Sequence, residues 1–177
     1  KVAQFCNVSP EAVVQSVDAD TIYRVPLLMH SQGMDEIVLR KMDIEPAGEP
    51  DLHDWTDFLA RMGAATREVN IGLVGKYAEL QDAYKSINES LHQAATYCDH
   101  KLNLTYIHSE KLTDENVADR LDGLDGVVIA PGFGPRGIDG KLVALRYCRE
   151  HDMPTFGICL GMQCMVIEFA RNVLGLS

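Results

Sequence analysis

The residues best suited to chemistry lie in the stretch Pro154-Thr-Phe-Gly-Ile-Cys-Leu-Gly-Met-Gln163. An apolar run ends in Gly157-x-Cys159-x-Gly161 and an amphipathic pattern follows, the cysteine form of a nucleophile elbow. The two glycines permit a tight strand-to-helix turn that presents the central side chain at the top of a sheet. A sulfur at the head of a helix gains from the helix dipole and from free N–H groups, both of which favour thiolate. The N–H of Leu160, directly after the nucleophile, is placed to receive a developing oxyanion. The bland alternative is a buried cysteine in a glycine-rich turn. The strand-like run before Cys159 and the helical pattern after it favour the nucleophile. Cys164, inside the helical pattern, has no such setting and reads as core.

A second stretch, Val127-Val-Ile-Ala-Pro-Gly-Phe-Gly-Pro-Arg-Gly137, leaves an apolar strand into a glycine-rich loop. Such a loop can turn backbone N–H groups toward an anionic or carbonyl oxygen, although by itself it reads as a flexible strand-to-helix connection.

The elements that must position these residues follow from periodicity. From residue 69 the pattern alternates between strand and helix. Strand-like runs are Val69–Gly75, Leu102–His108, Gly126–Ala130 and Pro154–Ile158. Between them, Tyr84, Ile87, Leu91 and Ala95 recur at helical spacing behind an Asp82 cap. Thr113 is positioned to cap a helix carrying Val117 and Leu121, and Leu142, Leu145 and Arg149 lie along another. The last helix bears Met162, Met165, Val166, Phe169 and Val173, a stripe that reads as core. Strands alternating with helices predict an α/β fold, a doubly wound parallel sheet with ligands at the carboxyl ends of its strands.

Before this lies a different region. Residues 1–44 predict a small mixed α/β segment, with a strand at Val2–Val8. A helix follows Ser9-Pro10 and carries Val13, Val14 and Val17. Another runs from about Pro26 to Gln32, stopped by Gly33, and a third, capped by Asp35, carries Ile37, Val38 and Met42. Residues 45–68 read as a linker, because Glu45-Pro-Ala-Gly-Glu-Pro50 breaks any helix. Within it, Asp51 caps a short helix with Leu52, Trp55, Leu59 and Met62 on one face, Trp55 serving as a packing anchor.

Composition narrows the classes of function. The chain has 177 residues, 46% of them hydrophobic, and a net charge of −10 with no Lys/Arg block, which speaks against nucleic acid and anionic membranes as partners. No apolar run approaches the roughly 20 residues needed to span a bilayer. The five cysteines, odd in number and without a CxxC pair, predict reduced thiols, most of them buried, rather than a disulfide framework or zinc ribbon.

Taken together, the strand ending in Pro131-Gly-Phe-Gly134 and the strand ending in Gly157-Ile-Cys-Leu-Gly-Met-Gln163 resemble class I glutamine amidotransferases, whose sheet has a flavodoxin-like order. Two further runs, Ile71-Gly-Leu-Val-Gly-Lys-Tyr-Ala-Glu-Leu-Gln-Asp-Ala-Tyr-Lys-Ser86 and Phe133-Gly-Pro-Arg-Gly137, resemble the CTP synthase family in particular. Lys1-Val-Ala-Gln-Phe-Cys-Asn-Val8 and Ile22-Tyr-Arg-Val-Pro26 resemble the end of that family's synthetase domain. The resemblance implies residues 1–44 from the synthetase domain, a linker at 45–68, and the first part of the glutaminase domain at 69–177, its sheet incomplete.

It also implies roles. Cys159 matches the nucleophile that converts glutamine to a glutamyl thioester and ammonia. Gly132 and Leu160 match oxyanion and glutamine contacts, and Gly161, Met162 and Gln163 complete the glutamine-contacting run. Arg136 and Gly137 lie on the loop linked to activation by GTP, stiffened here by Pro135. Lys1 matches a lysine of the UTP/CTP site. Val17, Asp18 and Ala19 align with an ATP-contacting stretch, although the first position is a lysine in the family. The family implies Mg²⁺ with ATP, a homotetramer and a cytoplasmic location.

Thiol attack needs a base with an orienting partner, which in this family is a His-x-Glu pair downstream of the cysteine. None follows Cys159 here. His108-Ser109-Glu110 has the spacing but lies upstream, where a surface strand end is the better reading. No other histidine shows metal-ligand spacing, and no GxxxxGK[ST] loop is present. The expectation is therefore an inactive fragment with an uncovered sheet edge that calls for more chain or a partner. The alternatives are another class I amidotransferase and a non-catalytic assembly module of the same fold.

Overall fold

The computed structural model describes residues 1–176. They fall into two compact units, Lys1–Ala64 and a second that begins at Ala65.

The regular structure of the first unit is helical. It contains α1 (Val2–Cys6), α2 (Val25–Ser31), α3 (Met34–Lys41) and α4 (His53–Ala64), with single 3-10 turns at Pro10–Ala12 and Ile22–Arg24. The strand expected at Val2–Val8 is instead α1. A strand needs a neighbour for its backbone groups, and none exists among the described residues of this unit; a helix satisfies them locally. Asn7, left-handed at φ 53°, ends α1, and the Val8 N–H reaches back to the Ala3 carbonyl at 3.0 Å. Ser9-Pro10 opens only one 3-10 turn, because the β-branched Val13 leaves it in an extended conformation. The helix expected through Val14 and Val17 does not form.

Gly33, at φ 69°, separates α2 from α3 and occupies the cap position expected for Asp35. The Asp35 carboxylate lies 2.7 Å from His30 Nδ1 instead. Asp51 does support α4, accepting from the His53 N–H at 3.0 Å. Trp55 meets the Tyr23 ring at 6.4 Å, but the residue of α4 that is buried is Phe58, 4.6 Å from the same ring.

The second unit is the predicted α/β fold. Its strands are β1 (Arg67–Gly75), β2 (His100–His108), β3 (Gly126–Ile129) and β4 (Thr155–Gly157), all parallel and in the order β2-β1-β3-β4. Four further helices are α5 (Lys85–Tyr97), α6 (Val117–Leu121), α7 (Ile138–Glu150) and α8 (Leu160–Asn172). On one face Ile87 and Leu91 of α5 pack over Leu73 and Val128. On the other, α6, α7 and α8 enclose Val74, Ile107, Val127 and Ile129. The chain reverses direction between β1 and β3, so the crevice at their carboxyl ends is the position where such sheets bind ligands.

Four local expectations change. Asn116, not Thr113, takes the cap position of α6. A 3-10 turn at Gln81–Tyr84 replaces the Asp82 cap, and buried Tyr84 precedes α5, its hydroxyl accepting from the Tyr77 N–H at 3.2 Å. Cys148 and Cys164 are buried, but Cys6, Cys98 and Cys159 are exposed, so burial is not the fate of most thiols. Of the apolar stripe of α8 expected to be core, only Met165 packs inward; Val166 is 62% and Phe169 47% exposed, with Met162 and Val173 beside them. The inward face is Gly161, Cys164, Met165 and Glu168. Small residues there let α8 lie close on β3, and Glu168 is held by Arg149 of α7 at 2.8 Å. On edge strand β4, Phe156 is 65% exposed.

Candidate active site

The elbow is built from the carboxyl end of β4. Cys159 has φ 53° and ψ −109°, a combination that costs an L-residue on the order of 1–3 kcal/mol and persists only where its surroundings enforce it. Those surroundings are visible. The Ile158 N–H bonds the Ile129 carbonyl at 3.1 Å, tying the elbow to the end of β3. Beyond it the Gly161 N–H bonds the Ile158 carbonyl at 2.8 Å and the Gln163 N–H bonds the Cys159 carbonyl at 3.1 Å, starting α8. Both glycines are required by close approach: a Cβ on Gly157 would lie 2.6 Å from the Gly161 carbonyl carbon, and one on Gly161 would strike the Ile129 carbonyl oxygen. Cys159 is thereby exposed at the head of a 13-residue helix. Leu160 is half-buried, Gly161 is buried, and Met162 and Gln163 are exposed along the first turn.

The glycine loop after β3 lies on the neighbouring strand, at the same edge. The Ala130 N–H bonds the Val74 carbonyl at 2.9 Å, after which Pro131 turns the chain and Gly132 and Gly134 take φ 140° and 84°. Two lysines hold this loop. Lys141 of α7, 1% exposed, donates to the Ala130 carbonyl at 2.7 Å, and Lys76, just beyond β1, donates to the Phe133 carbonyl. Burial pushes the Lys141 ammonium below its ordinary pKa. The two lysines were not singled out from the sequence. The signal for Lys141 was present, since it shares a helical stripe with Ala144, Leu145 and Cys148, all buried.

Arg136 is exposed, 2.8 Å from Glu110 Oε1 and 5.3 Å from the centre of the Tyr77 ring. Gly137, at φ 77°, caps α7 and abuts the Ser109 side chain. The loop around them therefore sits over the carboxyl ends of β1 and β2.

His108 ends β2, with β1 and β3 between it and β4. At about 4.8 Å per strand that places it on the order of 14 Å from the elbow. Its Nε2 lies 3.9 Å from Glu110 Oε1, an oxygen already bonded to Arg136. The geometry gives Cys159 no base from this pair.

Lys1 and Val17, Asp18 and Ala19 belong to the first unit, where all four are exposed. Lys1 precedes α1, and the other three lie in irregular chain between the two 3-10 turns. The structure brings Cys159, Gly132 and Leu160–Gln163 to one sheet edge and leaves these four in the other unit. Among the described residues no group of three or more His, Cys, Asp or Glu could hold a metal ion. No helix among them is long and apolar enough to cross a membrane.

Comparison with known proteins identifies the family. The family described as glutamine amidotransferase class-I matches residues 79–177, more than half of the chain, and the chain belongs to that family. Residues 1–44 match a second family, described as CTP synthase N-terminus. Over 99% of its length the chain is 63% identical to the CTP synthase of Porphyromonas gingivalis, and to that of Bacteroides thetaiotaomicron it is 65% identical. It spans about a third of the length of these relatives. Among solved structures, the glutaminase domain of Trypanosoma brucei CTPS with bound acivicin is 39% identical. It superposes with a TM-score of 0.56 over 60% of this chain and 42% of that one.

Proposed function

We propose that this chain is a part of a CTP synthase, spanning the end of the synthetase domain, the linker and the first part of the glutaminase domain. The observation that carries the proposal is the strained backbone of Cys159 at the head of α8, beside the glycine loop after β3. In this reading the Cys159 thiolate attacks the side-chain amide carbon of glutamine. Loop and elbow N–H groups stabilise the oxyanion, ammonia leaves, and water hydrolyses the glutamyl thioester to glutamate. Gln163, exposed on the first turn of α8, and Gly132 are the proposed glutamine contacts.

The ammonia then aminates UTP at the expense of ATP, with GTP acting through the loop of Arg136 and Gly137. Lys1 belongs to the UTP/CTP site and Val17–Ala19 to the ATP site, in a cytoplasmic homotetramer. Mg²⁺ accompanies ATP, but the described residues include no cluster fit to hold it. His108 is too far away to serve Cys159 as a base, and the chain by itself is proposed to be inactive on glutamine.

The test is a chimera in which this chain replaces its counterpart in the B. thetaiotaomicron enzyme. It should form CTP from glutamine, and Cys159→Ala should abolish that activity while leaving CTP formation from ammonia intact. Glutamine-dependent activity that survives Cys159→Ala would overturn the proposal.

A further inference from the structure

Lys141 lies on the inward stripe of α7, 1% exposed, and no carboxylate among the described residues pairs with it. A buried ammonium without a counter-charge is costly, and an apolar side chain of the same length would sit on this stripe at less expense. Among the described residues its hydrogen-bond partner is the Ala130 carbonyl, at 2.7 Å, where β3 has ended and the glycine loop begins. On the other side of Pro131-Gly132, the Lys76 ammonium takes the Phe133 carbonyl. Ammonium groups from two different elements thus hold the backbone on either side of the residue matched to the oxyanion contact.

The consequence follows from peptide geometry. In a trans peptide the C=O and N–H point in opposite directions, so drawing the Phe133 carbonyl to Lys76 turns the Gly134 N–H away from it. Pinning the Ala130 carbonyl fixes the plane from which Pro131 departs. The ring of Pro131 then restricts the direction in which the chain enters Gly132. Gly132 and Gly134, both at positive φ, have no steric preference of their own to hold the loop in one path.

We propose that Lys141 is a positioning residue, whose buried ammonium holds the Ala130 carbonyl and so keeps the loop carrying Gly132 in the path needed beside Cys159. This rests on the glutaminase reading of the elbow. Lys141 touches neither substrate nor sulfur in this role; it acts through the backbone. The ionisable groups that face it are Lys76 from the end of β1, Cys159 at the elbow and Cys164 on α8. The 3-10 turn Ser109–Lys111 also packs near α7, but its charged side chains are engaged elsewhere, Glu110 with Arg136 and Lys111 with Glu79.

The test compares two reagents at Cys159 of this chain. Acivicin, a glutamine-like electrophile, needs a formed glutamine pocket, whereas iodoacetamide needs only an accessible thiol. Lys141→Met should lower the acivicin rate roughly ten- to hundredfold, the worth of a charge-assisted hydrogen bond, and leave the iodoacetamide rate within a small factor. In the wild type the ratio of the two rates should fall in alkali, as the ammonium loses its proton below the ordinary lysine value of 10.5. That limb should be reduced in Lys141→Met, where Lys76 alone is left on the loop, and the wild-type profile can be recorded even if the variant folds poorly. Equal rate ratios in wild type and Lys141→Met, or a wild-type ratio flat in alkali, would overturn the role of Lys141. A wild type that reacts with iodoacetamide but not with acivicin would instead overturn the glutaminase reading, and this inference with it.

Discussion

Gly161→Ala tests whether α8 is seated on β3 as closely as the elbow requires. The added Cβ would strike the Ile129 carbonyl oxygen and lie 2.9 Å from its carbon, closer than real Cβ atoms come to another heavy atom. Both partners are backbone, in a strand that is fully buried, so no flexible side chain can move aside. Relief requires α8 to lift from β3 by something near an ångström, carrying the Leu160 N–H with it. Overpacking of this kind costs about 1–3 kcal/mol, or a fall in melting temperature of roughly 4–12 °C for a unit of this size. Misplacement near an ångström at a reacting centre is worth on the order of a hundredfold in rate. The expected outcome is a hundredfold slower reaction of Cys159 with acivicin in a folded protein, with iodoacetamide little affected. The assay is the pair of second-order rates alongside a thermal melt. Unchanged melting and an unchanged acivicin rate would refute the packing of α8 on β3.

Other perturbations give distinct readouts. Cys159→Gly should raise stability by about 1–2 kcal/mol in a chemical denaturation curve, since glycine adopts φ 53°, ψ −109° without the strain the cysteine bears. Burial alone would raise the Glu168 pKa, but hydrogen bonds from Arg149 and Asn172 outweigh it and hold the carboxyl below its ordinary 4.5. Its contribution is therefore complete above that value and lost as pH falls through the depressed one. Arg149→Ala should cost about 3 kcal/mol at neutral pH by leaving the buried carboxylate unpaired, and acid-unfolding curves should show the difference shrinking toward low pH. The pair Val166→Lys and Phe169→Lys should reduce binding of a hydrophobic dye without lowering the melting temperature, because both side chains are exposed; a lower melting temperature would place them in the core.

What the sequence made legible was what repeats. Period-two and period-3.6 patterns located all four strands and the helices between them, and the glycine spacing around Cys159 located the elbow, because a Cβ at either glycine meets backbone. Less was visible where two answers share one period. Helix α8 carries apolar residues on two stripes, and although Cys164 reads as core, spacing alone does not say that Val166 and Phe169 face away from it. Val2–Val8 is apolar enough for a strand, but a strand depends on a partner that the segment itself does not encode. Lys141, behind the glycine loop, was hidden for a third reason. A lysine in a helical stretch reads as solvated until the three buried residues sharing its stripe are weighed against it.

The most direct test of the central claim, that residues 154–163 form an assembled glutaminase elbow, is intact-mass analysis after acivicin treatment of the wild type and Cys159→Ala. One adduct, on Cys159 and absent from the variant, is the predicted result. No adduct, or equal labelling of exposed Cys6 and Cys98, would contradict it.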